Sequence, residues 1–157
     1  MTFVFRVRPD ELGDFEKKFG RRMRFEARDA LHRSAKRILP VLRAKSVRIN
    51  DLGEFRDGWT YTLLPKLVLD LWNRAKHAIF VENGRGAGKP MPPDLPIREW
   101  AIRHGISNVW ALRRAIAERG IRPRRVLSHP ATMVGIDKTI NAEMQSAWNR
   151  LVRRAAR

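Results

Sequence analysis

The sequence predicts an α+β fold in which a long N-terminal helix and C-terminal helices pack on a small antiparallel sheet. Three patterns carry that reading. Apolar residues recur at steps of three and four from Phe15 to Leu42, and again from Met133 to Ala155. Between them, Trp59–Leu64 and Leu67–Trp72 are short apolar runs set around a proline, the pattern of a hairpin. No segment repeats, and residues 1–157 read as one domain.

Taken in order, Phe3–Arg8 alternates and is rich in aromatic and β-branched residues, so a short strand is expected. Pro9-Asp10 supplies a stop and a helix cap. From Glu11 to about Val47 one stripe is drawn by Phe15, Phe19, Met23, Ala27, Ala30, Leu31, Ala35, Ile38 and Leu42. Pro40 lies inside this helix, removes a backbone donor and crowds the carbonyl of Lys36, so a kink or break is expected there. Pro65-Lys66 is the expected two-residue turn of the hairpin, with Leu67, Leu69 and Leu71 on one face against the long helix.

Ala75–Asn83 reads as a short helical turn ended by Gly84. Gly84 to Pro93 reads as an exposed, mobile, positively charged arm, because glycine frees the backbone while the proline cluster extends it. Asp94 is expected to cap a helix that turns Ile97, Trp100, Ala101 and His104 inward and closes at Gly105. A second helix, from about Ser107 to Arg119, carries Val109, Leu112 and Ile116 inward and stops at Gly120. Arg122–Leu127 fits either a loop or an edge strand. Ser128 then caps a last helix running through Arg154. Trp59, Trp72, Trp100 and Trp148 fall on inward or hairpin faces, whereas Trp110 lies off its helix's stripe and is an interface candidate.

Composition limits the functions available. There is no cysteine, which excludes a disulfide scaffold, a thiolate zinc site and a cysteine nucleophile, and suits a reducing compartment. A hydrophobic fraction of 43% with 31% charged residues describes a globular chain and not a disordered one. No apolar run approaches the ~20 residues of a bilayer span, so no membrane partner is expected. Met1–Arg6 is too short and too soon charged for a signal peptide, so export by the general route is not expected.

The glycine loop does not fit phosphate binding. Counting back from Gly88-Lys89, the first glycine of a Walker loop would fall on Asn83, and the magnesium-binding hydroxyl on Pro90. His32, His77, His104 and His129 lack the spacing of a helical metal site. Asp10 and Glu16 lie along the opening of one helix and do not converge from adjacent strands as nuclease carboxylates do. The serines have no nucleophile-elbow glycines around them. The expectation is therefore a protein with no enzymatic activity, no cofactor and no metal.

What remains is charge. Lys and Arg number 33 against 16 Asp and Glu, a net charge of +17. Cations crowd the polar side of the long helix, and the last third of the chain is still more one-sided. A solvated face ordinarily mixes signs, because like charges one turn apart repel. Such a surface meets phosphate or a carboxylate-rich protein. Arg124, Arg125, Arg150, Arg153 and Arg154 are the candidate contacts for an acidic partner or DNA. No signature of base-specific reading accompanies them.

From Gly53 onward the chain resembles a known family. Gly-x-Phe-Arg-Asp-x-Trp at 53–59 is followed by Asn73–Arg85, by a Gly/Pro loop ending Met91-Pro92-Pro93, and by Ile97-Arg98-Glu99-Trp100-Ala101. Together with Gly105 and Gly120-Ile121-Arg122-Pro123, this order is similar to the phage minor tail protein Z-like, tail-completion (neck) family of long-tailed phages. Two features depart from it: His77 stands where the family usually has Tyr, and the hairpin is short. The resemblance implies a virion protein that completes the head-proximal end of the tail and takes part in head–tail joining. Its implied partners are the tail terminator or tail tube, the head connector, and further copies of itself in a ring, with six the candidate stoichiometry. Arg85, Gly86, Gly88, Lys89, Met91 and Trp110 would form the subunit interface. The alternative is a basic accessory protein making non-specific contacts with nucleic acid.

Overall fold

The computed structural model describes residues 2–6, 13–49 and 51–156, with side chains from Gly20 onward. The fold is α+β. Packing divides the chain into two compact units, Met1–Ala78 with Val126–Arg157, and Ile79–Arg125, where the sequence reads as one domain.

In the first unit, β1 spans Thr2–Arg6 and α1 spans Gly13–Ser46, followed by one 3-10 turn at Val47–Ile49. The expected stop and cap at Pro9-Asp10 lie outside the described residues, as do the side chains of Phe15 and Phe19. Met23, Ala27, Ala30, Leu31, Ala35, Ile38 and Leu42 are all buried, as their spacing requires. The expected break at Pro40 is absent. α1 runs through Pro40, and its non-helical backbone is at Gly20 instead (φ 43°, ψ −122°). Pro40 and Lys36 are both exposed, so water can satisfy the carbonyl that loses its donor. Gly20 takes a backbone conformation that a side chain would oppose.

Beyond α1 come α2 (Glu54–Asp57), β2 (Trp59–Leu64) and β3 (Val68–Asn73). The sheet order is β1-β3-β2, antiparallel throughout, with Leu64 opposite Val68. The connection is therefore Pro65–Leu67 and not the two-residue turn expected. A two-residue hairpin turn favours positive φ, which proline's ring forbids. The positive angles fall instead on Lys66 (φ 61°) and Leu67 (φ 57°), which removes Leu67 from the strand face. Leu69 and Leu71 are fully buried, and both hairpin strands pack on α1.

Helix α6 (Pro130–Ala155) lies along α1 and buries Ile136, Ile140, Ala147 and Leu151. Its cap is His129, whose Nδ1 accepts from the Ala131 N–H at 3.3 Å, and not Ser128 as expected. Pro130 takes the first helical position, where its missing donor costs nothing, and this moves the cap to the residue directly before it.

The second unit holds most of α3 (Ala78–Asn83), then α4 (Asp94–Arg103) and α5 (Val109–Arg119), which pack on each other. Pro93 occupies the cap of α4, and Asp94 is the first helical residue, without the capping bond expected of it. Asn108 caps α5, accepting from the Ala111 N–H at 2.9 Å. The inward face expected of α4 is only partly so. Ala101 is fully buried, but Trp100 is 36% exposed and stacks on His104 with ring centroids 4.0 Å apart.

Candidate functional site

The candidate residues divide between the two units. In the first unit two carboxylates, Glu26 and Glu143, are each held by two arginines. Glu26 of α1 is 5% exposed and accepts from Arg150 Nε at 3.1 Å and Arg154 Nη1 at 3.2 Å, both on α6. Glu143 of α6 reciprocates, accepting from Arg33 Nε at 2.9 Å and Arg37 Nη1 at 2.8 Å on α1. Arg33 pairs in addition with Asp29. Each long helix thus contributes one carboxylate that holds two arginines of the other. Two of the five candidate contact residues, Arg150 and Arg154, are engaged in this clamp, whereas Arg153 is exposed beside Gln145, Ser146 and Asn149 on α6.

Hydrogen bonds from Arg37 and Arg33 hold the Glu143 carboxyl below its ordinary value of 4.5, outweighing the opposing effect of burial. A carboxyl whose folded pKa is depressed binds fewer protons folded than unfolded near that pH. Its contribution is complete above the unfolded value and fades as pH falls through the folded one. Melting temperature should therefore drop between pH 5 and pH 3, and the drop should be shallower in Glu143→Gln, which keeps the shape and cannot titrate. Parallel slopes for the two proteins would contradict this assignment.

The second unit holds the glycine-rich loop, and here the mobile arm expected from the sequence is corrected. Arg85 and Ile121 form an antiparallel bridge, each N–H donating to the other's carbonyl at 2.8 Å. The Gly88 N–H donates to the Ala117 carbonyl at 2.8 Å, and Arg113 Nε to the Pro92 carbonyl at 2.9 Å. Arg113 also pairs with Asp94 at 2.9 Å, while the Arg85 guanidinium turns back on the Pro90 carbonyl. The physical cause is the end of α5. Its last carbonyls have no intrahelical donor, and the loop supplies one. Two glycines make this approach feasible. A Cβ on Gly120 would lie 2.2 Å from the Arg85 oxygen, and one on Gly84 would lie 2.3 Å from the Ile121 oxygen. Between these anchors Gly86, Gly88, Lys89 and Met91 remain exposed.

Trp110 is 59% exposed, as its position off the stripe predicts, with the Arg114 guanidinium 5.4 Å from its ring centre. Arg124 and Arg125 are exposed at the end of this unit, where the Arg124 N–H donates to the Val81 carbonyl at 2.7 Å. Arg125 is held in a left-handed conformation (φ 49°).

The histidines each have a structural partner. His32 Nδ1 shares a hydrogen of 2.6 Å reach with the Tyr61 hydroxyl, His77 lies 3.9 Å from Glu54, His104 stacks on Trp100, and His129 caps α6. Among the described residues no three His, Cys, Asp or Glu side chains gather as a metal set. Among those residues, too, no helix is long and apolar enough to cross a membrane. No family model, curated protein or solved structure matches the chain.

What sequence reasoning missed is the clamp between α1 and α6 and the seam between residues 84–88 and 117–121. Glu26 carried a signal: a carboxylate one step from the buried Ala27 on an apolar stripe needs a cationic partner.

Proposed function

We propose that this chain is a structural protein of a long-tailed phage virion, completing the head-proximal end of the tail and taking part in head–tail joining. The observation that supports it best is the fate of the charges. Glu26 and Glu143 are consumed inside the first unit, so the surplus of cations faces outward, with Arg119, Arg122, Arg124 and Arg125 all exposed. Neighbouring virion proteins with acidic surfaces are suited to such a face, because arginine binds carboxylate in two-point fashion. The loop from Gly84 to Pro93, anchored on α5, would present Lys89 and Met91 to the next copy in a ring as a preformed contact. A rigid contact loses less entropy on association than a loop that must first order.

The test is genetic and visual. In the phage or prophage that encodes it, a null allele should leave filled heads and tails unjoined under the electron microscope. A Lys89→Glu, Met91→Glu double variant should lower infectious titre by about 100-fold while the purified chain stays folded. Mature particles without the protein would end this proposal.

A second reading, non-specific DNA contact, is favoured by the four exposed arginines between 119 and 125. It predicts duplex binding whose affinity falls steeply with salt, with the slope reduced by about one for each arginine removed. Salt-insensitive or absent duplex binding would remove it.

A further inference from the structure

The second unit has an apolar surface that, Trp110 apart, neither reading uses. Along α4, Leu95 (66% exposed) and Ile102 (69% exposed) lie two turns apart on one side, and both point away from the core. Between α4 and α5 an open groove of about 640 Å³ is lined by Arg98, Ile102, Ile106, Val109 and Trp110 among others. Large apolar side chains scattered singly are ordinary, but Ile102, Ile106, Val109 and Trp110 gathered in one groove mark an interaction site. Two packed helices leave a furrow that fits a third helix, whose anchors at steps of three, four and seven match its length.

Charge selects the occupant. Residues 79–125 hold ten Lys and Arg against four Asp and Glu. Of those four, Glu82 is buried, Asp94 is taken by Arg98 and Arg113, and Glu118 is taken by Arg114, leaving Glu99 as the further exposed carboxylate on α4. A second copy apposing this same groove would bring like charge and be repelled, and duplex nucleic acid turns phosphates outward, with no apolar face to set on Ile102 and Val109. We propose that the α4–α5 groove docks an acidic amphipathic helix of a different protein, with Ile102, Val109 and Trp110 as the apolar floor and Leu95, two turns along α4, as a further contact. This inference stands apart from the virion reading, since it requires only that the second unit keep its shape.

The probe is a synthetic peptide of about 18 residues, long enough to hold a helix. It carries leucines at helical spacing with glutamates between them, and a scramble of equal composition serves as control. Binding to the full chain is followed by fluorescence anisotropy of the labelled peptide. The patterned peptide should bind at least about tenfold more tightly than the scramble. Ile102→Glu and Leu95→Glu should each weaken it about tenfold or more with an unchanged circular dichroism spectrum, as fits loss of an apolar anchor. Both positions are exposed, so either variant keeps the test open if the other fails to fold. Four results would overturn the proposal: equal binding of the scramble; undiminished binding by both variants; a wild-type multimer in sedimentation that Ile102→Glu dissolves, which makes a second copy the occupant; or displacement of the peptide by a short duplex whose own affinity falls tenfold in Ile102→Glu.

Discussion

Trp59→Ala should lower the unfolding free energy by about 3–5 kcal/mol, the range for deleting a large buried aromatic. Trp59 is 2% exposed and meets Phe55 edge to face at 5.5 Å. Its indole N–H donates to Ser46 Oγ at 2.8 Å, and that hydroxyl donates to the Leu42 carbonyl at 2.7 Å. Its own carbonyl accepts from Arg43 at 3.2 Å. One residue therefore ties the start of β2 to the last turns of α1, and alanine leaves both a cavity and a buried hydroxyl without its donor. A domain is stable by only about 5–15 kcal/mol, so a loss of this size should be plain in the midpoint of a urea melt. Trp110→Ala is the matched control, since the same truncation at a 59% exposed ring should cost about 0.5 kcal/mol or less. Equal losses for the two would show that Trp59 does not hold the hairpin to the helix.

The second large effect is expected at Gly120. Its backbone (φ 74°, ψ −166°) lies in a region that is essentially glycine's alone, costing any other residue about 1–3 kcal/mol. The added methyl of Gly120→Ala would also stand 2.2 Å from the Arg85 oxygen and 2.9 Å from the Ala87 nitrogen, both backbone atoms that cannot swing aside. The bridge between Arg85 and Ile121 must then open. Amide exchange at Arg85, Gly88 and Ile121 should accelerate by about 100-fold, the factor for roughly 3 kcal/mol of local stability. The amides of Leu69 and Leu71, in the other unit, should keep their protection. Gly86→Ala provides the comparison, because its nearest neighbour would be the flexible Lys89 side chain at 3.9 Å. Unchanged exchange in Gly120→Ala would mean that the loop is not held by this seam.

The secondary structure was largely legible because its signals are local. The α1 stripe is written at intervals of three and four residues, and seven of its members are buried where the spacing puts them. Where local reasoning failed, a neighbour or the solvent had changed the outcome. Pro40 breaks nothing because it faces water, and Ser128 loses the cap of α6 to His129 because Pro130 settles where that helix begins. At the candidate surfaces the excess of cations and the exposure of Trp110 were readable. The anchoring of the glycine loop was not, since a run of Gly and Pro has the same composition whether it is free or tied to a helix end.

Element type, the buried faces of the two long helices and the surplus of positive charge follow from the residues alone, because each depends on side chains within a turn or two, or on a sum over the chain. Tertiary structure alone decides which cations are spent and which face outward. Glu26 meets Arg150 across 124 positions of sequence, and nothing local tells either residue of the other. It decides as well that Leu95 and Ile102 of α4 stay uncovered, since one helix's pattern cannot say whether a second face will find a partner.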